Sequence, residues 1–118
     1  MVLVRHSKNW GLNEEAVIRA AVAALKKFNY KENVVELSIC FVGRIKAKKL
    51  NQAYRKMNYV PQVLAFPMSK EVDSDGLTHL GDVVICTQKL KYEAKFLGKN
   101  IEGVLTEWIT HGVGNLLK

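Results

Sequence analysis

NIEGVLTEWITHGVGNLLK, residues 100–118, decides how this chain folds. Asn100 is placed to cap a helix, and Ile101, Val104, Leu105, Trp108, Ile109 and Leu116 then recur as a broad apolar face. Gly103, Gly112 and Gly114 each cost about 1 kcal/mol relative to alanine inside a helix. Close packing of helix on sheet, or approach of the backbone to a ligand, is therefore expected in compensation. His111 and Asn115 fall on the flank of the apolar face, beside Trp108. Two histidines four apart on one helix make a metal-binding face. Here Asn115 takes the second place.

Upstream, residues 2–5 read as a short strand. Asn13 caps a first helix, with Glu14 and Glu15 in its first turn and Lys26 and Lys27 at its end, signs that suit the helix dipole. Its inner positions are Val17, Ala20, Ala21, Ala24, Leu25 and Phe28. Residues 34–42, rich in β-branched and aliphatic side chains, form a strand with a buried face. A second helix starts near Arg44, with Ala47, Leu50, Tyr54 and Met57 turned inward and Arg44, Lys48, Gln52 and Arg55 on another stripe. Residues 63–66 make a short strand stopped by Pro67, residues 71–76 a loop and residues 80–86 a further strand. Thr87 is expected to cap a third helix ending at Gly98. The order β-α-β-α-β-β-α-α predicts an α+β fold, a small mixed β-sheet packed with helices. Its long β-α connections suit parallel pairs, and residues 67–80 can return antiparallel.

At 118 residues the chain is expected to be one domain, 1–118. No apolar run approaches membrane-spanning length, and polar residues 6–9 follow the first strand at once, so neither a membrane span nor a secretory signal is expected. Cys40 and Cys86 sit in apolar runs and read as buried free thiols, which suits a cytoplasmic (or organellar matrix) location. Charge separates function classes better. The formal net charge is +7, and the interval between Glu36 and Glu71 holds no acidic residue. It holds Arg44, Lys46, Lys48, Lys49, Arg55, Lys56 and Lys70. Such a cationic region attracts phosphate backbones by counterion release, or is a solvated face that keeps the protein soluble.

Several segments together carry a family resemblance. Phe41-Val42 leads into Leu50-Asn51-x-x-Tyr54-Arg55, then come Val63-Leu64-Ala65-Phe66-Pro67 and Leu80-Gly81-Asp82-Val83-Val84-Ile85, and finally Thr110-His111-Gly112. In this order, over about residues 35–118, the chain resembles the YbeY family of rRNA-maturation proteins. The resemblance implies a zincin-like metal-hydrolase fold with the metal carried at the end of the last long helix. It also implies a metal-dependent, single-strand-specific endoribonuclease serving rRNA maturation and ribosome quality control. The family helix reads His-Gly-x-x-His, then Leu-x-Gly-Tyr-Asp-His, with all three histidines on Zn²⁺. His111 and Gly112 match, Asn115 stands at the second ligand, and the third position would lie past Lys118. Arg55 matches the arginine that the family sets beside the metal for phosphate. Where the family strand reads Thr-Asp-Val-Leu-Ser-Phe, Pro61, Gln62 and Ala65 occupy the Thr, Asp and Ser places.

On this resemblance the catalytic residues are Arg55 and His111 and the metal ligands His111 and Asn115, while the charge pattern marks Arg44, Lys46, Lys48, Lys49, Arg55 and Lys56 as the RNA-binding residues. A catalytic zinc needs three protein ligands and an open position, and an amide oxygen substitutes poorly for imidazole. The expected cofactor is thus no ion, or a weakly held divalent ion sharing RNA phosphates. His111 beside Arg55 could then act as a general acid or base without metal. Simpler roles stand alongside. In these, His111 bonds at the core edge, and Arg55 is a surface helix residue or pairs with Asp82. Asp82 and Asn51 read as structural, and Glu107 either orients His111 or is solvated. Tyr54 and Tyr59 lie among basic residues where bases could stack, with Tyr54 expected in the core. His6 and His79 lack partners at metal spacing. The functions that follow are an endoribonuclease impaired by the loss of two metal histidines, a catalytically silent RNA- or ribosome-binding module, and a truncated form of a fuller enzyme. Single-stranded RNA, small-subunit rRNA above all, and ribosomal proteins are the expected partners; membrane and DNA are not.

Overall fold

Alternating apolar runs and amphipathic stretches become four strands and four helices in the computed structural model, which describes residues 1–68 and 72–118. In chain order they are β1 (Val2–Arg5), α1 (Glu14–Lys27), β2 (Val35–Val42), α2 (Arg44–Arg55), β3 (Val63–Pro67), β4 (Thr78–Cys86), α3 (Thr87–Phe96) and α4 (Ile101–Leu116). A 3₁₀ turn, Glu32–Val34, leads into β2 and takes Val34 out of the expected strand. The sheet order is β1-β2-β4-β3. β1, β2 and β4 run parallel, and β3 pairs antiparallel with β4. The α+β architecture and its mixed sheet match the expectation. Lys70 and part of the 71–76 loop lie outside the described residues.

One face of the sheet is the core. Leu37, Ile39, Val83 and Ile85 are fully buried there, against Val17, Ala21 and Leu25 of α1 and Leu105, Ile109 and Val113 of α4. The two asparagine caps hold as read. Asn13 Oδ1 accepts from the Glu15 amide at 2.8 Å, and Asn100 Oδ1 from the Glu102 amide at 2.8 Å. Thr87 does not cap α3. Cys86 stands at that N-cap without a side-chain bond, and the helix ends at Phe96, two residues before Gly98.

Glycines set two close approaches. The β2–β4 register shifts at Glu36/Leu37, with Leu80 the extra residue on β4. Gly81 follows at φ +127°, where a Cβ would fall 2.2 Å from the Phe66 carbonyl oxygen. Gly112 lets α4 down onto the sheet, since a Cβ there would lie 2.6 Å from Val83 Cγ1 and 3.3 Å from Val63 Cγ1. This supplies the helix-on-sheet compensation for Gly112. Gly103 has nothing within 4 Å and receives none.

The opposite face is covered only in part, by α2. Ala47 is buried as expected, but Tyr54 and Met57 are exposed. Asn51, fully buried, takes the inward position instead. Tyr54 lies over the sheet edge in an edge-on contact with Phe66, ring centroids 5.0 Å apart. Helix α2 is too short and too polar to bury that ring, and the helix ends at Arg55 because Lys56 turns into the left-handed region at φ 58°.

His6 joins β1 to α1. Its ring stacks on Trp10 at 3.9 Å, with Nδ1 2.6 Å from the Ser7 carbonyl and Nε2 2.7 Å from Glu14 Oε1. Both partners are acceptors, so only the imidazolium satisfies both. The Ser7 carbonyl foremost, then Glu14, raise the His6 pKa above its ordinary 6.5.

Two predictions follow from these contacts. Gly112→Ala should destabilise the protein by about 1–3 kcal/mol through overpacking on Val83, whereas Gly103→Ala should stabilise it by about 0.5–1 kcal/mol; urea denaturation of both variants checks the opposite signs. Because the folded pKa of His6 is raised, its stabilising contribution is complete below about pH 6.5 and fades as pH rises through the folded value. His6→Gln should therefore lower Tm at pH 5.5 and leave it nearly unchanged at pH 9, measured by thermal melts at both.

Candidate functional site

Arg55 and His111 reach the same cleft from different parts of the chain. Arg55 is the last residue of α2, and His111 lies on the exposed flank of α4. The cleft has a volume of about 600 Å³, and its walls include Tyr59, Gln62, Lys89, Glu93, Glu107 and Trp108. Asn51 builds the side nearest α2. Its buried Nδ2 donates to the Tyr59 carbonyl at 3.0 Å, while its Oδ1 has no hydrogen-bond partner among the described residues. That bond folds the 56–62 turn back so that Tyr59 and Gln62 line the opening. On the other side Trp108 Nε1 donates to Glu93 Oε2 at 3.0 Å and ties α4 to α3. Asn51 thus ties α2 to the turn that follows it.

The cleft gathers two permanent cations, an imidazole and two carboxylates: Arg55, Lys89, His111, Glu93 and Glu107. Such a set can hold a phosphate and move a proton at its edge. Glu107 sits one helical turn before His111 and reaches toward Lys99, 3.9 Å away. Among the described residues no hydrogen bond or ion pair holds the side chain of His111 or Arg55. Asp82 does not pair with Arg55: it lines a separate hollow with Arg5, Ser38 and His79.

The remaining basic residues of α2 do not converge on the cleft. Arg44 lines an adjoining groove, while Lys46 and Lys49 flank the exposed Ile45. Lys48 and Lys56 are exposed, and Lys56 Nζ turns back to the Ala53 carbonyl at 3.2 Å. Lys89, on the inner side of α3, is a cleft residue that sequence reading missed. Nothing in its local sequence separates it from Lys91 or Lys95.

The metal donors expected on α4 do not form a set. Asn115 is half-buried one turn past His111 and does not line the cleft. Among the described residues, the one group of three metal-ligand side chains with converging atoms is Asp73, Asp75 and His79, within 4.8 Å of one another. The imidazole-plus-amide pair of His111 and Asn115 therefore does not fit a three-ligand zinc.

His79, like His6, is given no partner by its spacing, and the fold supplies three. Glu36 reaches Nδ1 from the adjacent strand, and Nε2 lies 2.9 Å from Asp73 Oδ2 and 3.4 Å from Asp75 Oδ2. Nε2 is shielded from solvent yet makes no hydrogen bond among the described residues. The 2.9 Å approach to Asp73 thus lies off the N–H direction. Two carboxylates and an imidazole suit a hard divalent ion with water completing its shell. The hollow beside this cluster shares no residue with the Arg55–His111 cleft. An Asp-x-Asp spacing before His79 was visible in sequence; Glu36 was not.

Known proteins agree with this architecture. The solution structure of TM1509 from Thermotoga maritima superposes with a TM-score of 0.62 at 21% identity, covering 100% of this chain and 73% of that one, a likeness of fold. Curated proteins named Endoribonuclease YbeY align with it as well. That of Aquifex aeolicus is 38% identical over 85 residues, covering 72% of this chain and 55% of the relative. That of Wigglesworthia glossinidia brevipalpis is 33% identical over 90 residues, covering 76% and 59%. The chain thus spans less than two thirds of the length of these relatives. Among the described residues no helix is long and apolar enough to cross a membrane. The family model described as Endoribonuclease YbeY matches residues 5–117, nearly the whole sequence, and the chain belongs to the YbeY family.

Proposed function

We propose that this protein acts on single-stranded RNA as an rRNA-maturation endoribonuclease of the YbeY kind, with residues 1–118 forming one such domain and its hydrolytic power reduced. The observation that carries the reading is that Arg55, Lys89 and His111 line a single cleft in a chain of this family. A phosphodiester entering there would meet the Arg55 guanidinium and the Lys89 ammonium, which hold its charge. His111 would exchange a proton at the adjoining oxygen, with Glu107 one turn away on the same helix. No step is assigned to zinc, because the donors on α4 do not suit it.

A second reading has its own support. Asn115 at a ligand position, and Pro61, Gln62 and Ala65 in place of more polar residues, favour a silent module that binds rRNA or a ribosomal protein through the same cleft. The basic residues of α2 and its C-cap serve both readings, since Arg44, Lys46, Lys48, Lys49 and Lys56 add long-range attraction for a polyanion.

Arg55→Ala should weaken binding of an unstructured oligoribonucleotide by about 1.5–3 kcal/mol and flatten its salt dependence by about one ion. Fluorescence anisotropy across a salt series reads both. Unchanged affinity and slope would remove the cleft as an RNA site. Cleavage of the same strand by wild type, lost in His111→Ala while binding persists, separates the enzyme from the silent module.

A further inference from the structure

The cleft continues into a groove of about 350 Å³ along α3, and the two share Gln62, Lys89 and Glu93 as common walls. Beyond that junction the groove is lined by Arg44, Tyr92, Phe96 and Leu97. Tyr92 and Phe96 lie four residues apart on one face of α3. Their rings stack on each other, centroids 5.0 Å apart and planes at 21°, while 58% and 73% exposed. Leu97 beside them is 57% exposed. A single exposed aromatic needs no explanation, but a pre-stacked pair with a neighbouring leucine is a contiguous apolar patch.

We infer that Tyr92 and Phe96 form a base-stacking subsite for single-stranded RNA leaving the Arg55–His111 cleft, an inference that rests on the reading proposed for that cleft. Charge selects the occupant. Arg44 and Lys89 flank the patch, and Glu93, the one carboxylate in the groove, accepts the Trp108 indole hydrogen bond. An apolar π surface edged by fixed cations matches a strand that alternates flat bases with phosphates. A duplex keeps its base faces inside the stack and cannot use such a surface, so the subsite favours unpaired RNA. The two rings hold each other in place before binding, which reduces the ordering cost of capture.

The test uses the whole chain and an end-labelled, unstructured oligoribonucleotide, compared with its duplex and with a version carrying abasic sites. Tyr92→Ser and Phe96→Ser are surface changes whose folding is checked by thermal melts. Each should lower single-strand affinity by about tenfold while leaving the salt slope unchanged, because no charge is removed. Duplex affinity should not move, the abasic strand should bind wild type and variants alike, and Phe96→Trp should restore the single-strand value. If both serine variants bind like wild type while Arg55→Ala weakens binding, the stacking subsite is wrong and the cleft reading stands. If Arg55→Ala also leaves binding unchanged, both fall. Should sedimentation show a wild-type dimer that the serine changes convert to monomer, the patch is a contact between copies and the subsite is overturned.

Discussion

Helix α4 lies on the sheet without an intervening side chain at residue 112, and the functional geometry depends on that seat. Val83 and Val63 fill the space that a Cβ would need. Depth of the helix, its rotation and the reach of its flanking residues follow from this contact. With Gly112 against β4, Leu105, Ile109, Val113 and Leu116 turn fully into the core. His111 is left on the exposed flank, and Trp108 is placed to bond Glu93. A helix standing further off would lose the burial of that face and carry His111 away from Arg55. The conformational cost of a helical glycine is small beside the apolar surface it allows to close.

The polar layer is arranged by similarly few bonds. Asn51 is the buried amide that turns the chain after α2, and its single hydrogen bond to Tyr59 aligns one wall of the cleft. Trp108 and Glu93 align the other. Between them the cleft presents cations and carboxylates in nearly equal number, unlike the uniformly basic face of α2. That difference separates attraction from chemistry: the helix surface draws a polyanion from a distance, and the cleft discriminates among its atoms at contact. The carboxylate–imidazole cluster around His79 lies beside a separate hollow.

Particular residues mark how far pattern alone could reach. Asn13 and Asn100 were readable as caps because capping is a local bond between a side chain and an amide two residues on. The glycines of α4 were readable as places needing compensation, by close packing or by a ligand, but only the fold singles out Gly112 as a helix-on-sheet contact and leaves Gly103 with none. Tyr54 was misread: helical spacing put it on the apolar stripe, but α2 covers only part of its sheet face and leaves the ring in solvent. His79 was passed over because one of its partners, Glu36, comes from a strand more than forty residues earlier, at the paired position in the register. Lys89 looked like any lysine of a surface helix.

Periodicity and capping residues determined the element order and through it the mixed sheet, while the ordered motifs from Phe41 to Gly112 carried the family resemblance, because each is written within a few residues of chain. Which side chains share a cleft was decided by the docking of α2, α3 and α4 around β4. Spacing along the sequence cannot report that, since the groups that meet there come from positions 55, 89 and 111 and are joined only through the packed sheet.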